Sequence, residues 1–174
     1  MVRKKVMTES EWLASDNSYE MLPTCRAIIR EHPRKGRLFA VACCYRIWPQ
    51  FDDERSRAAV ETAARFADGL TSEEELAAAE KAAQAAHADA FKVKGKVDAS
   101  AEWAAQFAAS PDEWFAASRA SNFAYVAAGD GILPGPEHTA QSHLLRCIFG
   151  DPFRRVAINP TWLTPNVVSL ARTI

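Results

Sequence analysis

Three times in this chain a hydroxyl residue stands three positions ahead of a glutamate, where an apolar-periodic run begins: Thr8 to Glu11, Thr71 to Glu74 and Ser110 to Glu113. At that spacing the hydroxyl accepts a backbone N–H of the first helical turn and the carboxylate reaches back to the N–H it leaves free. The third case adds Pro111 at the first helical position, where a missing N–H costs nothing. Apolar residues recur at helical spacing between these starts. Only seven Gly stand against many Ala, which favours helix over sheet. The pattern predicts helices near 9–15, 18–31, 35–48, 53–68, 72–91, 99–109, 111–128, 138–149 and 162–173. Pro23 cannot donate to the preceding turn, so the second segment is expected to be a short turn followed by a helix from Pro23. Gly69 is expected to stop the fourth helix in the left-handed conformation.

These elements predict an all-α fold, a compact multi-helix bundle of about eight or nine helices. At 174 residues, 48% hydrophobic and 25% charged, the chain suits one domain with a sizeable core. Residues 1–7 read as an N-terminal extension and 8–174 as a single all-helical domain. Leu38, Ala42, Tyr45 and Trp48 form one apolar stripe, with Phe39, Cys43 and Ile47 beside it, so this helix is expected at the centre. Val60, Ala63, Ala64, Ala67 and Leu70 make a second face, and Leu144, Leu145, Ile148 and Phe149 a third. Trp103, Phe107, Trp114 and Tyr125 are expected to supply bulk opposite the alanine-rich 77–90 segment.

No run approaches the apolar length of a membrane span, and no apolar stretch follows the basic N-terminus as in a secretory leader. A soluble cytoplasmic protein is the expectation. Four scattered cysteines suggest reduced core thiols rather than a disulfide framework. Net charge is -1, yet residues 1–48 hold nine Lys and Arg against five Asp and Glu. Arg26, Arg30, Arg34, Lys35 and Arg37 could therefore form a basic face for nucleic acid, although no nucleic-acid-binding motif accompanies them.

Reactive constellations are sparse. His143 and Cys147 share a helical face at i, i+4, the spacing of a zinc ligand pair, and Cys43 or Cys44 could complete the set from a packed neighbour. Glu80, Gln84 and His87 lie along one face but lack the repeated Glu-x-x-His of a di-iron bundle. Asp52, Asp53 and Glu54 are explained by a helix start. Phosphate-loop, nucleophile-elbow and zinc-protease motifs are absent, so no cofactor is expected. The Gly129–Pro136 loop could carry binding, and Arg154 with Arg155 could clamp an anion or pair with the acidic 49–114 segment.

Several blocks resemble a large uncharacterised bacterial family. They are Thr8-Glu-Ser-Glu-Trp-Leu13, Arg37-Leu-Phe-Ala-Val-Ala-Cys-Cys-Tyr-Arg-Ile-Trp48, Asp53-Glu-Arg-Ser-Arg57 with Ala67-Asp-Gly69, Leu144-Leu-Arg-Cys-Ile-Phe-Gly-Asp-Pro-Phe-Arg154 and Pro160-Thr-Trp-Leu-Thr164. The resemblance spans nearly the whole chain, apart from an alanine-rich middle that matches in composition only. It implies residues 1–6 as an upstream extension and an unbroken second helix, from which Pro23 departs. It implies no reaction, ligand or catalytic residue.

The leading expectation is thus a non-enzymatic helical module that binds another protein, with Trp12 or Trp162 as exposed anchors. A nucleic-acid-associated regulator using the basic face is the first alternative. An enzyme or metal-binding protein centred on His143 and Cys147 is the second.

Overall fold

The computed structural model describes residues 7–94, 99–129, 135–154 and 159–171. Among them the chain is all-helical, without a strand. The elements are α1 (Glu9–Ala14), α2 (Ser18–Met21), α3 (Arg26–Glu31), α4 (Pro33–Arg46), α5 (Glu54–Ala67), α6 (Glu73–Lys94), α7 (Ser100–Ala108), α8 (Glu113–Ala127), α9 (Pro136–Phe149) and α10 (Pro165–Ala171). A 3-10 turn over Leu22–Cys25 joins α2 to α3, so 18–31 is one continuous helical body. No helix among the described residues is long and apolar enough to cross a membrane.

Helix starts follow local chemistry, with two displaced by one or two residues. Thr8 caps α1 as expected: Glu11 N–H donates to its hydroxyl, and the Glu11 carboxylate accepts from Thr8 N–H at 2.8 Å. At α6 the reciprocal pair is Ser72 with Glu75 rather than Thr71 with Glu74. At α8 the cap is Asp112, whose carboxylate accepts from Phe115 N–H at 2.6 Å, rather than Ser110. Aspartate caps as well as serine does, and Ser110 gives its carbonyl to Arg37 instead. Pro23 does not begin a helix. Asn17 has already started one at Ser18, and the proline falls in the first turn of the 3-10 segment, where no N–H is required of it. Gly69, at φ +71°, ends α5 as expected: Leu70 N–H donates to Arg65 O at 2.8 Å and Gly69 N–H to Phe66 O at 3.0 Å.

Helix α4 is central, packing on α3, α5, α7, α8 and α9. Its buried side is Gly36, Arg37, Phe39, Ala40, Val41, Cys43 and Cys44. The expected leading stripe is instead its outer margin, since Tyr45 is exposed and Leu38, Ala42 and Trp48 are only partly covered. A helix apolar over most of its circumference leaves the choice of face to its neighbours. Gly36 marks the closest approach: a Cβ there would sit 2.9 Å from Ile29 Cγ2 and 3.1 Å from Glu113 O. Leu70 likewise leaves its expected core face and is exposed beyond the α5 stop.

Between α7 and α8 the interior is alanine against alanine. Ala101, Ala104, Ala105 and Ala108 of α7 and Ala116, Ala117, Ala120 and Ala124 of α8 are all buried, and α8 packs on both α7 and α4. Small side chains let the two backbones approach closely. The large aromatics stand outside this space, and Trp103 meets the 77–90 segment, as expected. Trp103, Phe107 and Phe123 stack on one another, and His87 stacks on Trp103 at 4.5 Å, as a half-covered outer layer.

Candidate docking surface

Alanines turned inward leave α8 with an outward side of large and polar residues. Trp114, Phe115, Ser118, Arg119 and Asn122 face Tyr19, Leu22 and Pro23 of the α2–α3 body across a hollow of about 400 Å³. Past Trp114 a second hollow of about 290 Å³ continues the groove between Arg26, Ile29, Arg30 and Pro33 on one wall and Asp112 and Glu113 on the other. Tyr19 is 66% and Phe115 42% exposed.

Charges in this groove are unevenly matched. Arg26 lies over the Trp114 ring at 5.1 Å and Arg119 over the Phe115 ring at 5.1 Å, a geometry in which ring quadrupoles attract the cation. Arg26, Arg30 and Arg119 are all exposed and make no ion pair with a described residue. The acidic lining is already engaged. Asp112 caps α8, and Glu113 lies 3.6 Å from the Arg37 guanidinium. The groove therefore offers three exposed cations and aromatic surface against two carboxylates that are each partly engaged.

Several residues singled out in the sequence are placed differently from expectation. Trp12 is wholly buried, its backbone carbonyl accepting from Arg146 at 2.8 Å, so it is a core residue and not an exposed anchor. Trp162 is 66% exposed just before α10, as expected, and is not among the residues that line the two hollows. Of the expected basic face, Arg26 and Arg30 stay in solvent, but Arg37 is 1% exposed. Its guanidinium donates to Ala108 O at 2.9 Å and to Ser110 O, where it satisfies the C-terminal carbonyls of α7. Burial lowers the Arg37 pKa, partly offset by Glu113, Glu80 and Asp112. Arg34 donates to Ala67 O at 2.9 Å and to Asp68 at 2.8 Å, at the end of α5. Arg154 pairs with Glu9 and Asp151, not with the 49–114 segment, and Arg155 lies outside the described residues. The Gly129–Pro136 loop is outside them over 130–134.

The expected metal set does not assemble. His143 and Cys147 are exposed on α9, whereas Cys43 and Cys44 are wholly buried in α4. A solvent-facing pair and core thiols cannot reach one ion, and the described residues hold no group of three or more His, Cys, Asp or Glu suited to one. Burial pushes the Cys25 thiol up to about 12, and raises Cys43 and Cys44 as well. Such thiols are poor nucleophiles. Asp53 caps α5 and also binds Arg55, which lowers its carboxyl pKa, as a helix-start role requires.

One buried polar cluster escaped sequence reading. Ser18 Oγ lies 2.7 Å from His138 Nδ1 and 2.9 Å from Gln141 Oε1. Gln141 Nε2 donates to Ser121 O at 2.9 Å and to Glu137 at 3.2 Å, and Arg46 holds the Glu137 carboxylate at 2.9 Å. Two acceptors around Nε2 fix the amide orientation, so Gln141 Oε1 must accept the only hydroxyl proton of Ser18. His138 Nδ1 is then the donor to Ser18. The proton is not drawn toward the imidazole, and Ser18 is 3% exposed, so the cluster ties α2, α4, α8 and α9 together rather than arming a nucleophile.

Comparison with protein-family models, with curated proteins and with solved structures found no match. The groove residues Tyr19, Phe115, Arg119 and Asn122 were not singled out from sequence; Trp114, expected as core bulk, packs partly against the core and lines the groove with its remaining surface. Their signal was present as a complement: Ala116, Ala120 and Ala124 at i, i+4 mark the inward stripe of α8 and leave Phe115 and Arg119 opposite.

Proposed function

We propose that the protein is a non-enzymatic interaction module that holds another protein in the groove along α8. The observation that carries this reading is the exposure of Phe115 opposite Tyr19, with half-buried Trp114 lining both hollows, beside a core closed by alanine. Aromatic residues and arginine are the types that concentrate binding energy at protein interfaces, and here both face solvent together. Free, buried Cys25, Cys43 and Cys44 support action in a reducing compartment such as the cytoplasm.

The test is an affinity capture from source-cell lysate with wild-type protein and with a Tyr19→Ala/Phe115→Ala variant, each with and without nuclease. One protein recovered stoichiometrically by wild type in both conditions, and lost with the variant, is the expected result. Equal recovery by both forms contradicts the groove as the site.

A second reading is single-stranded nucleic acid. Arginine stacked on exposed rings is also what sequence-tolerant strand binding uses. It predicts capture that disappears with nuclease and affinity that falls steeply with salt.

A further inference from the structure

We infer that the occupant of the α8 groove is an acidic segment of the partner protein, with an aliphatic or aromatic residue set between its carboxylates. This rests on the docking reading above and adds the chemistry of the partner.

Arg26 and Arg119 each place a guanidinium over an aromatic ring, 5.1 Å from its centroid, and both side chains are exposed, so their N–H donors are open to an incoming group. A guanidinium fork fits a carboxylate with two parallel hydrogen bonds. Arg30 adds a third cation with no ion pair to a described residue. A neutral segment laid across the groove would offer these cations only carbonyl acceptors and no opposite charge, and a basic one would add like charge. An acidic one compensates each, and Asp112 and Glu113, partly engaged at a helix start and near Arg37, still leave the lining with three cations against two acids. The cations sit over two different rings rather than converging on one point, which favours separated carboxylates over a single dianion. The hollow between Tyr19, Leu22, Pro23 and Phe115 takes the apolar residue.

The experiment measures fluorescence anisotropy of three labelled peptides that share Leu and Phe positions and carry Asp/Glu, Asn/Gln or Lys/Arg between them. The full-length protein is used, with oligo(dT) as a fourth probe. Saturable binding of the acidic peptide alone is expected, weakened about tenfold by Arg26→Glu and by Arg119→Glu. Lys81→Glu on exposed α6 should leave it unchanged, and thermal melts confirm that each variant is folded. Neutral or basic peptides binding as tightly, and losing affinity with Phe115→Ala, would overturn the acidic partner while leaving the groove a docking site. If no peptide responds to Phe115→Ala, both readings fall. Oligo(dT) binding lost with Arg119→Glu would reassign the groove to nucleic acid.

Discussion

On its inner side α8 presents Ala116, Ala117, Ala120 and Ala124, and on its outer side Trp114, Phe115, Arg119 and Asn122. Most surface helices of globular proteins do the reverse, burying bulk and exposing small or charged residues. The inversion separates two tasks within fifteen residues. The small inner face packs α8 closely on α7 and α4, while Phe115 keeps exposed surface that the monomer does not cover. If the outer aromatics served stability, their loss would cost as much as damage to the inner face.

The largest effect is expected at the inner end of this packing. Arg37→Ala leaves the Ala108 and Ser110 carbonyls and Glu113 without their buried cation, and should cost about 3–5 kcal/mol in denaturant unfolding. Next comes overpacking. Ala117→Leu or Ala120→Leu should each cost about 1–3 kcal/mol by the same measurement, because no space remains between the helices. Gly36→Ala should fall in the same range, since its Cβ would meet Ile29 and the Glu113 carbonyl.

A smaller, pH-dependent effect tests how closed the interior is. With Cys25 raised from 9.0 to about 12 by burial, its thiol stays protonated in the fold while the unfolded chain releases the proton. Unfolding then releases protons, so stability should be full below pH 9 and decline progressively from pH 9 to about 12. A Cys25→Ser chain should show a shallower decline in base titrations of unfolding. In native protein at neutral pH a thiol reagent should label exposed Cys147 and spare the other three until the chain unfolds. The smallest stability effect belongs to the outer face. Tyr19→Ala and Phe115→Ala should stay within about 0.5 kcal/mol of wild type in the same unfolding assay, even as they abolish capture of the partner.

Helix placement was legible because it is written in local chemistry. Thr8 with Glu11, Asp53 and Gly69 perform the roles their types and positions suggest. The faces were less legible. Helix α4 is apolar on too many sides for periodicity to choose between Tyr45 and Phe39, and α4's contacts with α8 decide it. Trp12 and Arg37 mislead for opposite reasons. A tryptophan near the chain start suggests an anchor and an arginine among arginines suggests a surface, yet both are buried by distant segments. Arg146 from α9 reaches the Trp12 carbonyl, and the end of α7 reaches Arg37. The groove itself depends on α2–α3 lying beside α8, a pairing of positions roughly a hundred residues apart that no local pattern encodes.

The measurement that bears most directly on this division of labour is site-specific photo-cross-linking. One probe replaces Asn122 in the groove, and a second replaces exposed Gln84 on α6 as a control. After irradiation in lysate, the cross-linked segment is mapped by mass spectrometry. The predicted result is one acidic, apolar-bearing segment of a single protein joined at position 122 and absent at position 84. Indistinguishable products from the two positions, or a 122 product lacking acidic residues near the cross-link, would contradict it.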